Sequence, residues 1–194
     1  MRWAAGKKRW RPIREAGWLS KHLRERLAFR ESRRVGQWVL AEKKRELSTA
    51  NDAFLLNEVG FTLYNMGDQR KAIEYFEQAL TIDRNVYGES HPKVAIRLNN
   101  LGSAWQALGD QRKAIAYYEQ ALTIDRNVYG DEHPNVAIRL NNLGSTYLEQ
   151  GQKEKAKAYL EQAYKIKLKF YGPEHPHTKA TAEWLAYCEM MSDE

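Results

Sequence analysis

The sequence has few of the features expected of a secreted, disulfide-stabilised or membrane-spanning protein. Its 194 residues include one cysteine, Cys188, which rules out an internal disulfide and a cysteine-built zinc site. We expect Cys188 to be a small buried hydrophobic residue. No apolar run approaches the roughly 20 residues of a membrane span, and no signal-peptide core follows the charged N-terminus. These absences favour a cytoplasmic protein.

Charge is unevenly distributed along the chain. Residues 1–50 hold 15 Lys or Arg against 5 Asp or Glu, whereas the remainder holds 16 against 20. The same segment contains Trp3, Trp10, Trp18 and Trp38. The contrast predicts two units, a basic, tryptophan-rich and helical segment at 1–50 and a separate domain at 51–194.

The domain contains an internal repeat of 42 residues. Residues 67–92 and 109–134 are identical at 22 of 26 positions, and VAIRLNNLGS at 94–103 recurs unchanged at 136–145. A third, diverged copy begins at Gly151. Repetition at this period indicates a solenoid.

Each copy has the pattern of two helices joined by a turn. Gly109 can take the left-handed conformation that ends the first helix, and Asp110 can cap the second. Tyr129 and Gly130 stop the second helix, and Pro134 opens the next pair. The predicted helix pairs lie at about 52–86, 94–128 and 136–170, with a final capping helix at about 177–190 in which Trp184 and Leu185 dock and Lys179, Glu183 and Glu189 face water.

Small and aromatic residues alternate between the two helices of a pair. Gly102 and Ala121 allow the backbones to approach closely, while Trp105 and Tyr118 fill the space beside them. The pattern L-x-x-L-G-x-x-W followed by A-x-x-x-Y-x-x-A resembles the tetratricopeptide repeat. HEAT repeats have a similar period but lack this spacing.

The long period adds a second resemblance. The segments LNNLG at 98–102 and 140–144, with the G-x-x-H-P linkers at 88–92, 130–134 and 172–176, resemble the tetratricopeptide repeats of kinesin light chains. The resemblance covers about residues 52–190. It implies an all-α, right-handed superhelical solenoid, without catalytic residues or cofactors, whose concave groove binds a protein or peptide segment.

In this fold the first helix of each pair lines the groove, which gives a set of candidate contact residues. Asparagine side chains recur in it, and a carboxamide can both donate to and accept from a peptide backbone. The kinesin light chain resemblance implies that the paired asparagines contact bound peptides; alternatively, one asparagine of each pair bridges neighbouring repeats and serves stability alone. The candidates are Asn57, Glu58, Phe61, Asn65, Arg97, Asn99, Asn100, Ser103, Gln106, Arg139, Asn141, Asn142, Ser145 and Glu149.

Charged candidates point to binding rather than to chemistry. Arg97 and Arg139 precede the asparagine pairs and could pair with an acidic ligand residue if they reach the groove. His91, His133 and His175 lie one repeat apart, about 10 Å from one another, which is too far to share a metal ion. We expect them to start helices or pack linkers. No nucleophile, base or phosphate-loop motif predicts an enzyme.

Three interpretations of residues 1–50 stay open. The segment could cap the first repeat, contact nucleic acid or anionic lipid through its cations and aromatics, or be the remnant of a larger upstream domain. The second interpretation is the main alternative to an adaptor that works through its groove.

Overall fold

The computed structural model describes residues 47–190, and the helices predicted for the basic N-terminal segment lie outside that range. The described chain consists of α-helices, turns and short linkers, with no β-strand between residues 47 and 190. Seven helices follow one another: α1 Ala50–Asn65, α2 Gln69–Tyr87, α3 Pro92–Ala107, α4 Gln111–Tyr129, α5 Pro134–Glu149, α6 Lys153–Tyr171 and α7 Pro176–Met190.

The predicted turn residues set the helix ends. Gly109 has φ +82° after α3, a conformation that suits glycine, and the Asp110 carboxylate caps α4 by accepting from the Lys113 backbone N–H at 3.1 Å. Pro134 occupies the first turn of α5, where its missing N–H costs no helical hydrogen bond. Because these signals recur with the repeat, the same turns recur in the structure.

The two helices of a pair touch where the sequence places a glycine. A Cβ atom added at Gly102 would lie 2.6 Å from Cε1 of Tyr118, closer than carbon atoms can pack. Tyr118 is 1% exposed and fills the space that this glycine leaves. The predicted close approach of α3 and α4 is therefore confirmed.

Successive pairs stack side by side. The first helices touch in the order α1, α3, α5 and α7, whereas the Cα atoms of α2, α4 and α6 stay more than 8 Å from one another. A stack in which one row of helices is closer than the other curves toward the close row. The first helices therefore line the concave face, as predicted, and the all-α repeat solenoid is confirmed.

The terminal helix α7 docks differently from the prediction. Leu185 packs against the core and Cys188 is buried, as expected. Trp184, however, is 42% exposed, so the prediction that it docks is wrong. Its position matches that of Asn142 one repeat earlier, which also lies on an open side of its helix.

The linker histidines start helices. In His91 and His133, Nδ1 accepts a hydrogen bond from the backbone N–H two residues later, at 3.2 and 3.1 Å. Their rings stack on Tyr87 and Tyr129, with centroids 4.4 and 4.2 Å apart. The predicted helix-start role is confirmed, and the stacking also fixes the linker against the preceding helix.

Candidate functional site

One side of each first helix is left uncovered by its neighbours. Its residues are exposed or half-buried and recur at intervals of three or four, which places them on one face of a helix. We call this set the inner stripe. It comprises Asn51, Phe54, Glu58, Phe61 and Asn65 of α1; Lys93, Ile96, Asn100, Ser103 and Ala107 of α3; Asn135, Ile138, Asn142, Ser145 and Glu149 of α5; and Ala180, Trp184 and Tyr187 of α7.

The predicted contact residues divide into three groups by position. Eight lie on the inner stripe: Glu58, Phe61, Asn65, Asn100, Ser103, Asn142, Ser145 and Glu149. Four lie beside it and include side chains that bond across to neighbouring helices: Asn57, Asn99, Gln106 and Asn141. The two arginines, Arg97 and Arg139, are buried.

Asparagine side chains link neighbouring first helices. Nδ2 of Asn100 donates to Oδ1 of Asn57 at 2.8 Å, and Nδ2 of Asn142 donates to Oδ1 of Asn99 at the same distance. We call these four residues the amide ladder. The bridges between neighbouring repeats that the alternative predicts are therefore present.

The bridges of the amide ladder do not use every hydrogen-bonding atom of its asparagine side chains. Each of Asn100 and Asn142 uses one amide N–H in its bridge, and no side chain among residues 47–190 donates to its Oδ1. Both residues are half-buried rather than sealed off. One edge of each carboxamide thus stays available to an incoming backbone group.

A second polar bridge crosses the face near the other end of the helices. Nε2 of Gln106 donates to Oε1 of Glu149 at 2.7 Å, and the hydroxyl of Tyr118 donates to Oε1 of Gln106 at 2.9 Å. Burial raises the pKa of Tyr118 to about 12, so this phenol stays a hydrogen-bond donor at neutral pH. Gln106 is consequently held in place from both sides.

The structure places Arg97 and Arg139 away from a ligand. Nε of Arg97 lies 2.8 Å from Oδ2 of Asp83, and Nε of Arg139 lies 3.0 Å from Oδ2 of Asp125. All four side chains are at most 8% exposed. The proposed pairing of these arginines with an acidic ligand is therefore corrected: their charges are neutralised by the preceding helix pair.

The third repeat replaces this ion pair. Lys167 stands one period after Asp125, and Thr181 stands one period after Arg139. The Lys167 ammonium donates to Oγ1 of Thr181 at 2.7 Å and to Oδ1 of Asn141 at 3.0 Å. Burial lowers the pKa of Lys167 to about 8. A buried cation with neutral partners thus lies at the C-terminal end of the asparagine series.

Sequence reasoning identified Phe61 but missed the other large apolar members of the inner stripe. Phe54, Ile96 and Ile138 occupy the same position in successive first helices and are 54%, 44% and 42% exposed. Trp184 and Tyr187 continue the stripe on α7. The signal was present in the sequence, since large apolar residues recurred at 42-residue spacing outside the buried positions of the helix.

Two other kinds of feature are absent from residues 47–190. Between residues 47 and 190 no group of three or more His, Cys, Asp or Glu side chains could hold a metal ion. Within that range, no helix combines the length and the apolar character that crossing a membrane requires.

Comparison with known proteins agrees with this architecture. The tetratricopeptide repeat family model matches residues 51–127 and 106–169, which together span more than half of the chain. None of the curated proteins compared with the chain matches it.

Solved structures share the fold. A Podosopora anserina protein described as a kinesin light chain with nearly identical TPR-like repeats has 24% identity and a TM-score of 0.70, with 89% of this chain and 86% of that chain covered. BtubC (BKLC) from P. vanneervenii has 23% identity and a TM-score of 0.74 over 90% and 68%.

A third structure is the Yersinia enterocolitica type III secretion chaperone SycD, in complex with a peptide of the translocator YopD. It has 17% identity and a TM-score of 0.60 over 76% of this chain and 99% of that chain. At such identities each likeness concerns the fold alone. The family model shows that the chain belongs to the tetratricopeptide repeat family, and its 42-residue period and G-x-x-H-P linkers are similar to those of kinesin light chain repeats.

Proposed function

We propose that the chain is a non-enzymatic, cytoplasmic adaptor whose concave face binds an extended peptide segment of another protein. The observation that carries this proposal is the amide ladder. Its bridges hold Asn100 and Asn142 in fixed orientations while leaving Oδ1 of each without a side-chain donor among residues 47–190. Rigid, half-satisfied carboxamides at repeat intervals are suited to a backbone that offers N–H and C=O groups at regular spacing.

Two further observations support the proposal. The family is a protein-interaction fold, and a neighbour of the same fold, SycD, is a chaperone in complex with a translocator peptide. The inner stripe also combines apolar and uncharged polar side chains, the usual composition of a site that binds a segment of protein.

The test begins with peptides selected from a display library on the full chain, whose affinities are then measured by fluorescence anisotropy. Replacing Asn100 and Asn142 together by alanine should weaken binding at least about tenfold, because it removes several hydrogen bonds worth about 0.5–1.5 kcal/mol each. Asn85→Ala with Asn127→Ala is the matched control. These asparagines lie one period apart on α2 and α4 and are exposed, so affinity should change by less than about twofold.

Two checks make the result interpretable. Circular dichroism must show that the ladder variant keeps its helix content, since the substitutions also remove two bridges between repeats. The second check replaces Lys7, Lys8 and Arg9 by serine, which tests the basic segment. A folded ladder variant that binds normally, beside a basic-segment variant that does not, would move the binding site from the concave face to residues 1–50.

A further inference from the structure

The inner stripe carries a row of apolar side chains that the core does not use. Phe54, Ile96 and Ile138 are about half exposed, although each lies on a helix whose other faces are buried. Single exposed apolar residues are ordinary on protein surfaces. Three at one repeat position, on helices that touch in sequence, instead form a row across the concave face. Such a row favours contact with apolar groups of a partner.

The spacing of the row restricts the partner. Packed helices lie about 8–10 Å apart, so neighbouring members of the row are separated by about that distance. An extended chain in the polyproline II conformation has three residues per turn and rises about 3.1 Å per residue, which brings every third side chain to one face at about 9 Å intervals. A β-strand places alternate side chains on one face, about 6.6 Å apart, and fits the row less well.

The charges of the stripe restrict the partner further. Glu58 and Glu149 lie on it without an ion-pair partner in the described chain, whereas its one lysine, Lys93, donates to the hydroxyl of Tyr87 at 2.7 Å and lies over that ring. The nearby arginines are neutralised by buried aspartates. The stripe therefore exposes two carboxylates against one cation, since the bond to a neutral phenol leaves Lys93 charged and the Lys167 ammonium beside Asn141 is buried. This excess of negative charge favours a basic segment over an acidic one.

We infer that the ligand of the concave face is an extended segment with apolar side chains at every third residue and with basic flanking residues. This inference rests on the proposed function and specifies the ligand class of the same site. The apolar side chains would lie against Phe54, Ile96 and Ile138, while the backbone would bond to the free carboxamide edges of Asn100 and Asn142.

Three synthetic peptides of about eleven residues test the inference against the full chain. The first carries leucines at positions i, i+3 and i+6 between lysine pairs, the second has the same composition with leucines at i, i+2 and i+4, and the third replaces the lysines of the first by glutamates. By fluorescence anisotropy at low salt, where charge effects are least screened, the first should bind at least about tenfold more tightly than either of the others.

Two variants test whether the apolar row contacts the first peptide. Ile96→Asn should weaken the first peptide at least about fivefold, because it removes the middle apolar member of the row. Val128→Asn is the matched control, since Val128 is 45% exposed but lies on α4, away from the concave face. Its affinity should stay within about twofold of the parent.

Several outcomes would overturn the inference. Equal affinities of the two lysine peptides would contradict the inferred spacing of the apolar side chains. A glutamate peptide that binds as tightly as the first peptide would contradict the inferred preference for basic flanking residues. Self-association of the chain that Ile96→Asn abolishes, with no binding of any peptide, would make a second copy the occupant. Display-selected peptides that depend on Asn100 and Asn142 yet lack the every-third-residue pattern would overturn this inference and leave the proposed function standing.

Discussion

Replacing Arg139 by threonine should lower the free energy of unfolding by about 3–5 kcal/mol, the usual cost of removing one partner of a buried ion pair. Asp125 is 1% exposed, and its carboxylate has the Arg139 guanidinium 3.0 Å away. Burial already raises the pKa of Asp125, and the arginine opposes that rise. Without Arg139 the carboxylate would be buried without compensation. Urea denaturation followed by circular dichroism measures the loss.

The chain itself offers the matched control for this variant. Asp125→Lys combined with Arg139→Thr converts the second interface to the residues that the third interface uses at Lys167 and Thr181. Because a lysine and a threonine pair there without a carboxylate, the double variant should recover about 2 kcal/mol of the loss, and the cost of burying a lysine accounts for the remainder. A double variant no more stable than Arg139→Thr alone would contradict the view that the two positions act as a coupled pair.

Replacing Lys167 by methionine should raise the free energy of unfolding by about 1–3 kcal/mol at pH 7, since it removes a buried charge that neutral groups alone accompany. The substitution leaves Oδ1 of Asn141 satisfied, because Thr181 still donates to it at 2.8 Å. Methionine has a similar length and fills the same space. Parallel urea titrations of parent and variant measure the difference.

The pH dependence of the difference in unfolding free energy between the parent and the Lys167→Met variant separates the effect of the charge from that of packing. Below pH 8 the Lys167 amine is protonated in both folded and unfolded chains, so the full cost of burial is present. Between pH 8 and about 10.5 the folded chain has released the proton that the unfolded chain still binds, and parent stability rises with pH. The advantage of the methionine variant should therefore shrink across that interval. An advantage that stays constant from pH 7 to 10.5 would show that packing, not charge, causes it.

The fold could be predicted in detail because the residues that set each turn and each contact between paired helices lie within a single repeat. Gly109 and Asp110 set a turn through backbone geometry and a local hydrogen bond, neither of which depends on distant parts of the chain. Gly102 and Tyr118 encode the contact between α3 and α4 within one period. The positive-φ glycine of the turn and the glycine that meets a large side chain recur in all three pairs, whereas the aspartate cap is present in two and absent at Gln152. Local preference and tertiary packing therefore agree at most of these positions.

The buried arginines could not be placed from their position on the helix alone. Arg97 and Arg139 directly follow Ile96 and Ile138 of the inner stripe, but a step of one residue turns a side chain by about 100° around a helix, as follows from about 3.6 residues per turn. Their partners, Asp83 and Asp125, belong to the preceding pair. At the third interface both members of the ion pair are replaced together, by Lys167 and Thr181. This joint replacement is the sequence signal that could have revealed that the aspartate and the arginine form a pair.

The apolar row was missed for a related reason. A large apolar residue on an amphipathic helix is read as part of the core unless the open side of the helix is known. Ile96 and Ile138 become exposed because the first helices pack on three sides and leave the fourth uncovered. Trp184 shows the converse, since its size predicted docking whereas its repeat position placed it on the open side.

Site-specific photo-crosslinking tests the central claim, ligand binding on the concave face, most directly. A benzophenone amino acid is introduced at position 96 on the inner stripe or at position 128 on α4, which have nearly equal exposure in the parent chain. With a display-selected peptide bound, illumination should crosslink the peptide to position 96 and leave position 128 unmodified, as judged by mass spectrometry. Crosslinking at position 128 with none at position 96 would place the binding site outside the concave face and contradict the account.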